Sequence, residues 1–205
     1  MKIIIEVGCN NGNDTQWLSE ECDYLYGFEP NPELFLNLKE RFKDNPKIKI
    51  FPYAIDIEEK TREFYISRYG DCGSSSLYPY ADNLSETELS RYSCYVNGHD
   101  GKCEVESIRL DSFIEDYNIK EISYLWIDAE GNDFKVLQSL GKYIDIVKEG
   151  RAEVNYKIDN FKDADNHYED VKKWLEERGF KTEILYIHEH ETAIDIGFKK
   201  VNIEE

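Results

Sequence analysis

KIIIEVGCNNGNDT, residues 2–15, joins a strand-like apolar run to a glycine turn and then to a helix start. Four of the five residues before Gly8 are Ile or Val, and Gly12 is followed by Asn13 and Asp14, residue types that open helices. A buried strand that feeds a helix through glycines is the first unit of an α/β nucleotide-binding sheet.

The pattern repeats along the chain. DTQWLSEEC (14–22) reads as a helix, YLYGFE (24–29) as a second strand, and NPELFLNLKERF (31–42) as an amphipathic helix capped by Asn31 with Pro32 at its first position. KIKIFPYAI (47–55) reads as a third strand, and REFYIS (62–67) as part of an added hairpin. Residues 68–104 break the rhythm: rich in Gly, Ser and Tyr, they read as an insertion or lid. Regularity returns with helices over 110–117, 133–143 and 166–179 and strands over 124–128, 146–156, 182–187 and 193–200. Alternation of this kind predicts one doubly wound, mostly parallel α/β domain spanning 1–205, with the last two strands as an antiparallel hairpin.

Composition narrows the partners. Lys and Arg number 25 against 43 Asp and Glu, a formal charge of −18, which repels nucleic-acid backbones and anionic membranes. The five cysteines show no metal-type spacing and read as reduced thiols of a cytoplasmic protein. No apolar run approaches the roughly 20 residues of a membrane span, and no signal peptide is seen.

The glycine turn selects its ligand. GCNNG has the spacing GxxxG, with Asn10 where a dinucleotide loop carries its second glycine, and Asp14 disfavours a diphosphate at the helix start. A cofactor with no phosphate suits such a loop, and S-adenosylmethionine meets that description. Glu29, ending the second strand, suits ribose hydroxyls in this cofactor or in NAD.

With those pieces placed, the chain resembles the FkbM-type methyltransferases, a branch of the S-adenosylmethionine-dependent class I fold. EVGCNNGNDT, GFEPNPELF, FPYAI, SSSLYPY, VESIRLDSFI, YLWIDAEGNDFKVLQSLG and AEVNY carry the resemblance in the family's order, over most of residues 3–156. The resemblance implies a seven-stranded sheet and methyl transfer to oxygen, often on a sugar or polyketide hydroxyl. It implies that Glu6, Gly8 and Asn10, with turn residue Gly12, hold the methionine end and Glu29 the ribose, with Tyr53, Ala54 and Ile55 near adenine. The first strand begins at residue 3, which suggests a minimal form or a domain cut from a longer polypeptide.

Methyl transfer to a hydroxyl needs a base or a metal. Asp128 and Glu130, in IDAEG at the mouth of the fourth strand of this pattern, are the catalytic candidates. Asp128 with Glu153 and Asn155 from AEVNY offers an oxygen-rich set for Mg²⁺ or Mn²⁺. Ser74, Ser75 and Ser76 and the tyrosines Tyr78, Tyr80, Tyr92 and Tyr95 are candidates for holding a sugar acceptor. His188 and His190 read as surface turn residues and His99 as an unassigned lid residue, while Trp17, Trp126 and Trp174 read as packing. The lead expectation is an O-methyltransferase acting on a glycan or glycosylated metabolite. Its rivals are a small-molecule O-methyltransferase, a nicotinamide-dependent oxidoreductase and an inactive binding module.

Overall fold

The computed structural model of the chain describes residues 1–67, 73–81, 101–157, 159–188 and 191–201. Among these described residues, ten strands and five α-helices follow in order: β1 (Ile3–Val7), α1 (Asn13–Glu20), β2 (Tyr24–Phe28), α2 (Pro32–Arg41), β3 (Ile48–Phe51), β4 (Tyr53–Ile55), β5 (Lys60–Ile66), β6 (Gly101–Ile108), α3 (Leu110–Asp116), β7 (Tyr124–Ile127), α4 (Asp133–Ser139), β8 (Glu149–Asn155), α5 (Tyr168–Glu176), β9 (Phe180–Ile187) and β10 (Ala193–Lys200). A 3₁₀ helix, Gly141–Ile146, links α4 to β8.

Seven strands form the main sheet in the order β3-β2-β1-β7-β8-β10-β9. The pairings from β3 to β8 are parallel, and β10 runs antiparallel to both β8 and β9. This is the sheet of class I methyltransferases. Order reverses between β1 and β7, so the carboxyl ends of these two strands frame a ligand crevice.

Both faces are covered because every β1 residue is buried. Ile3, Ile5 and Val7 pack with Leu125 and Ile127 under Phe113 and Ile114 of α3, Val136 and Leu137 of α4, and Val171 and Leu175 of α5. Ile4 faces the other way, toward Leu18 of α1 and Leu38 of α2. Burying each such aliphatic side chain contributes about 1.5–3 kcal/mol. Helix α2 starts as its sequence dictates: Asn31 Oδ1 accepts from the Glu33 and Leu34 amides at 3.0 and 3.4 Å, with Pro32 next in line.

Two expectations change here. KIKIFPYAI is not one strand: Pro52 has no N–H to give a ladder, and the chain leaves the main sheet there. Tyr53–Ile55 instead pairs in parallel with β6, and β6 pairs antiparallel with β5, giving a second sheet β4-β6-β5. The insertion is also shorter than residues 68–104, because β6 already begins at Gly101. The part described, residues 73–81, folds back on β5 through paired Tyr65 and Ser76 amides and carbonyls at 2.8 and 3.0 Å. There Leu77 and Tyr78 pack with Ala54, Phe64 and Phe161.

Trp17 departs from its packing role: it is 55% exposed and meets buried Trp126 edge-on at 5.9 Å. Cys9, Cys22 and Cys103 are free thiols, while Cys72 and Cys94 lie outside the described residues. Among the described residues, no helix is long and apolar enough to cross a membrane.

Candidate active site

The turn after β1 is built on close approach. Gly8 has φ +88°, and a Cβ on it would stand 1.9 Å from the Asp128 carbonyl oxygen at the end of β7. Gly12 has φ +80°, and its Cβ would press on Leu38 and Phe42. Between them, Asn10 adopts φ +48°, a left-handed conformation that asparagine tolerates. This puts its amide on Glu29 and leaves its Oδ1 buried without a partner.

Glu29 is 4% exposed and accepts backbone N–H groups at both carboxylate oxygens: Asn10 at 2.7 Å and Asn31 at 2.8 Å. Burial nonetheless pushes its pKa up to about 7, against those two hydrogen bonds. Each oxygen keeps a second lone pair for a ligand hydroxyl. Glu6, on β1, is fully buried and neither of its oxygens has a hydrogen-bond partner of good geometry. Burial raises it to about 8, with neighbouring Thr15 and Cys9 offsetting only part of that rise.

A cavity of about 400 Å³ opens over these strand ends. Gly8, Asn10, Glu29, Tyr53, Ala54, Ile55, Ser75, Asp128 and Glu130 all line it, so nine of the residues read from the sequence converge on one space. Glu6 and Gly12 stand behind the lining and shape the turn.

The β7 side of the cavity is a bank of acids. Asp128, Glu130 and Glu153 bring carboxylate oxygens within 4.8 Å of one another. Glu130 takes φ +47° and Gly131 φ +91°, which turns the chain sharply from β7 into α4. Asp133, wholly buried at the start of α4, accepts from the Ala129 and Glu153 amides at 3.3 and 3.2 Å and ties β7 to β8. Burial raises Asp128 to about 6, with Arg151 lowering it and Asp195 adding to the rise. Asp133 rises to about 7 through burial and the Asp128 charge. Glu153 is held well above the ordinary carboxylate range by burial and by Asp128, Asp133 and Asp195.

The acceptor candidates fare differently. Ser75 reaches the cavity, and its Oγ accepts from the Ser67 amide at 3.0 Å. Ser76 Oγ donates to the Glu130 carbonyl at 2.6 Å, so it braces the turn that aims Glu130. Tyr78 Oη accepts from Lys135 Nζ at 2.6 Å and donates to Asn132 Oδ1 at 2.9 Å. Tyr80 Oη donates to the Ser74 carbonyl at 3.4 Å, and its ring tilts against Phe161. Asn155 closes β8, buried, with its Nδ2 unpartnered. Tyr92, Tyr95, His99 and His190 lie outside the described residues.

Four residues of the site region were not singled out from the sequence as site residues. Asn132 lines the cavity and donates to the Ile55 carbonyl at 2.7 Å, locking β4 beside α4. Arg151 lies 4.0 Å over Trp126 and bonds Asp195 at 3.1 Å. Asp133 and Asp195 complete the set. His188 is no detached surface residue: its Nε2 stands 3.2 Å from both Glu153 Oε2 and Asp195 Oδ1. An isolated Arg or His in sequence carries no such signal, because the β8-β10-β9 register creates these contacts.

The cavity, lined by Asp14, Glu29, Asp128 and Glu130, fits a sulfonium cofactor bearing an ammonium group and a ribose better than a diphosphate. Structural comparison gives the same fold. A protein from Streptococcus mutans assigned as a methyltransferase and solved with S-adenosylhomocysteine aligns over 98% of this chain and 89% of its own, with a TM-score of 0.54 at 13% identity. An assigned rRNA methylase from Clostridium thermocellum aligns over 98% and 89%, with a TM-score of 0.54 at 10% identity. Aeropyrum pernix fibrillarin, solved with S-adenosylmethionine, aligns over 97% and 65%, with a TM-score of 0.52 at 9% identity. No curated protein matches by sequence. Residues 6–182, however, match the methyltransferase FkbM domain from the first strand to β9. The chain therefore belongs to the FkbM family of S-adenosylmethionine-dependent methyltransferases.

Proposed function

We propose that the chain methylates a hydroxyl oxygen of a sugar, in a glycan or a glycosylated metabolite, with S-adenosylmethionine as donor. The observation that carries this reading is the meeting of two unlike walls in one cavity. On one, Glu29 and Asn10 offer acceptors to a ribose and an ammonium; on the other, Asp128 and Glu130 offer carboxylates suited to taking a proton from a hydroxyl.

When bound, the cofactor supplies an activated methyl group on a cationic sulfur. Asp128 acts as general base: with a pKa near 6 it is ionised at neutral pH yet basic enough to take a proton as the new C–O bond forms and the C–S bond breaks. Glu130 orients the acceptor by hydrogen bonding, its turn braced by Ser76. Asn132 fixes the Ile55 carbonyl and with it the adenine wall of β4. Ser75 and the carboxylates suit a polyol, which brings several donors to a surface poor in them. Mg²⁺ or Mn²⁺ at Asp128, Glu153 and Asn155 would further lower the hydroxyl pKa. The charge of −18 favours neutral or cationic acceptors over nucleic acids and anionic lipids, and the lack of metal-type or paired cysteine spacing supports a cytoplasmic site of action.

The test is a methyl-transfer assay that reads S-adenosylhomocysteine formation with monosaccharides, oligosaccharides, catechols and RNA as acceptors. Turnover with sugars and none with catechols or RNA is expected. Turnover with catechols alone would replace the sugar with a phenolic acceptor, and cofactor binding without turnover on any class would leave a binding module.

A further inference from the structure

The β8-β10 register builds a second group of ligands beside the cavity. Glu153 pairs with Asp195 across the two strands, and Asn155 pairs with Ala193 one row on. The His188 amide bonds the Ala193 carbonyl at 3.0 Å, so His188 flanks the same row from the other side. Strand alternation puts Glu153, Asn155 and Asp195 on one face of the sheet. One atom each of Glu153, His188 and Asp195 lies within 4.8 Å of the other two, and Glu153 is shared with the Asp128–Glu130 group.

A cluster of acids alone says little, since acids gather on any acidic surface. Asn155 adds an independent observation: it is 4% exposed, lies on the face of Glu153, and the Nδ2 end of its carboxamide has no partner. An orphaned buried amide is costly to keep. A half-turn of the carboxamide presents its oxygen at that position, on the sheet face that carries the two carboxylates.

We infer that Glu153, His188, Asp195 and Asn155 bind a divalent cation at the ends of β8 and β10, next to the cofactor cavity. The mixed imidazole and oxygen donors favour Mn²⁺ over Mg²⁺ and Ca²⁺. This set shares Glu153 and Asn155 with the one read from the sequence but is centred one strand further from Asp128. Binding of the ion stands by itself; its use in activating an acceptor hydroxyl rests on the methyl-transfer reading above.

Titration of the full chain with Mn²⁺ alone, followed by the electron paramagnetic resonance of the free ion, tests it. Saturable one-to-one binding is expected, weakened about tenfold or more in Glu153→Gln and His188→Ala and unchanged in Glu63→Gln, a surface acid paired with Lys102. Electron spin-echo modulation of the bound Mn²⁺ supplies a readout that needs no variant: nitrogen coupling from an imidazole is expected in the unaltered chain. Lack of saturation, equal weakening by Glu63→Gln, or bound Mn²⁺ without nitrogen coupling would each overturn the site. Calorimetry with S-adenosylhomocysteine and no metal separates the two ideas. Mn²⁺ binding without cofactor binding keeps this site and sinks the methyl-transfer reading, and cofactor binding without Mn²⁺ binding does the reverse.

Discussion

Glu29 and Glu153 are both carboxylates at strand ends beside one cavity, yet the chain treats them in opposite ways. Glu29 is satisfied from the backbone: two amides, set by the Gly8–Gly12 turn and by the α2 cap, hold its oxygens. Glu153 faces other acids, with the Arg151 guanidinium and the His188 imidazole close by. A carboxylate held by main-chain donors keeps its place whatever binds, so it suits a fixed cofactor. A bank of mutually repelling acids lowers its energy when a proton, a hydroxyl or a cation arrives, so it suits chemistry and exchange.

The sharpest way to break this contrast is Gly8→Ala. With φ +88° and the Asp128 carbonyl 1.9 Å from the new methyl, the turn must move. Loss of S-adenosylhomocysteine binding by calorimetry is expected, with destabilisation of about 2–4 kcal/mol in chemical denaturation. Wild-type binding in this variant would remove the turn from the site.

Asp128→Asn addresses the other wall. Turnover should fall about 10²–10⁴-fold, while S-adenosylhomocysteine affinity stays within about threefold, since the hydrogen-bonded positioning of the cofactor lies on the Glu29 side. A variant that loses binding and turnover together would erase the division of labour. Glu29→Ala should do the converse, weakening cofactor binding about 10- to 100-fold at saturating-rate values near wild type, and costing about 1–3 kcal/mol of stability because two buried amides lose their acceptor.

The last test is the pH response of the free protein. Glu6, Glu29, Asp128 and Asp133 have native pKa values of about 8, 7, 6 and 7, all above their unfolded values. The native state therefore holds more protons than the unfolded chain between roughly pH 4 and 8, and stability falls as pH rises through that window. Melting temperature should decline from pH 5 to 8 and then level. A cationic ligand favours the ionised carboxylates, so binding near pH 7 should release protons, seen as buffer-dependent heats. A melting temperature that rises over the same window would contradict the buried, unbalanced acids.

Much of this was legible because it is local. The strand, glycine turn and helix of residues 2–15 lie within one stretch, Glu29 ends the next strand, and Asp128 ends the strand that pairs with β1. Pro52 hid the second sheet: the apolar run continues through it, and only the partner β6, fifty positions on, shows that Tyr53–Ile55 has changed sheets. His188 and Asp195 were illegible for the same reason. Their meeting with Glu153 depends on a hairpin that folds back between β8 and the sheet edge, a register no periodicity encodes. The partners of Tyr78 were equally hidden: Lys135 and Asn132 reach its hydroxyl from a distant part of the chain.

The close seat of Gly8 against the Asp128 carbonyl also bears on protein engineering. Loop grafting treats a cofactor turn as a module to be exchanged between scaffolds. Here the turn and the end of β7 are moulded on each other to within the width of a methyl group. A donor specificity transplanted through residues 8–12 alone would inherit a mismatched neighbour, so the two segments must travel together as one heritable unit.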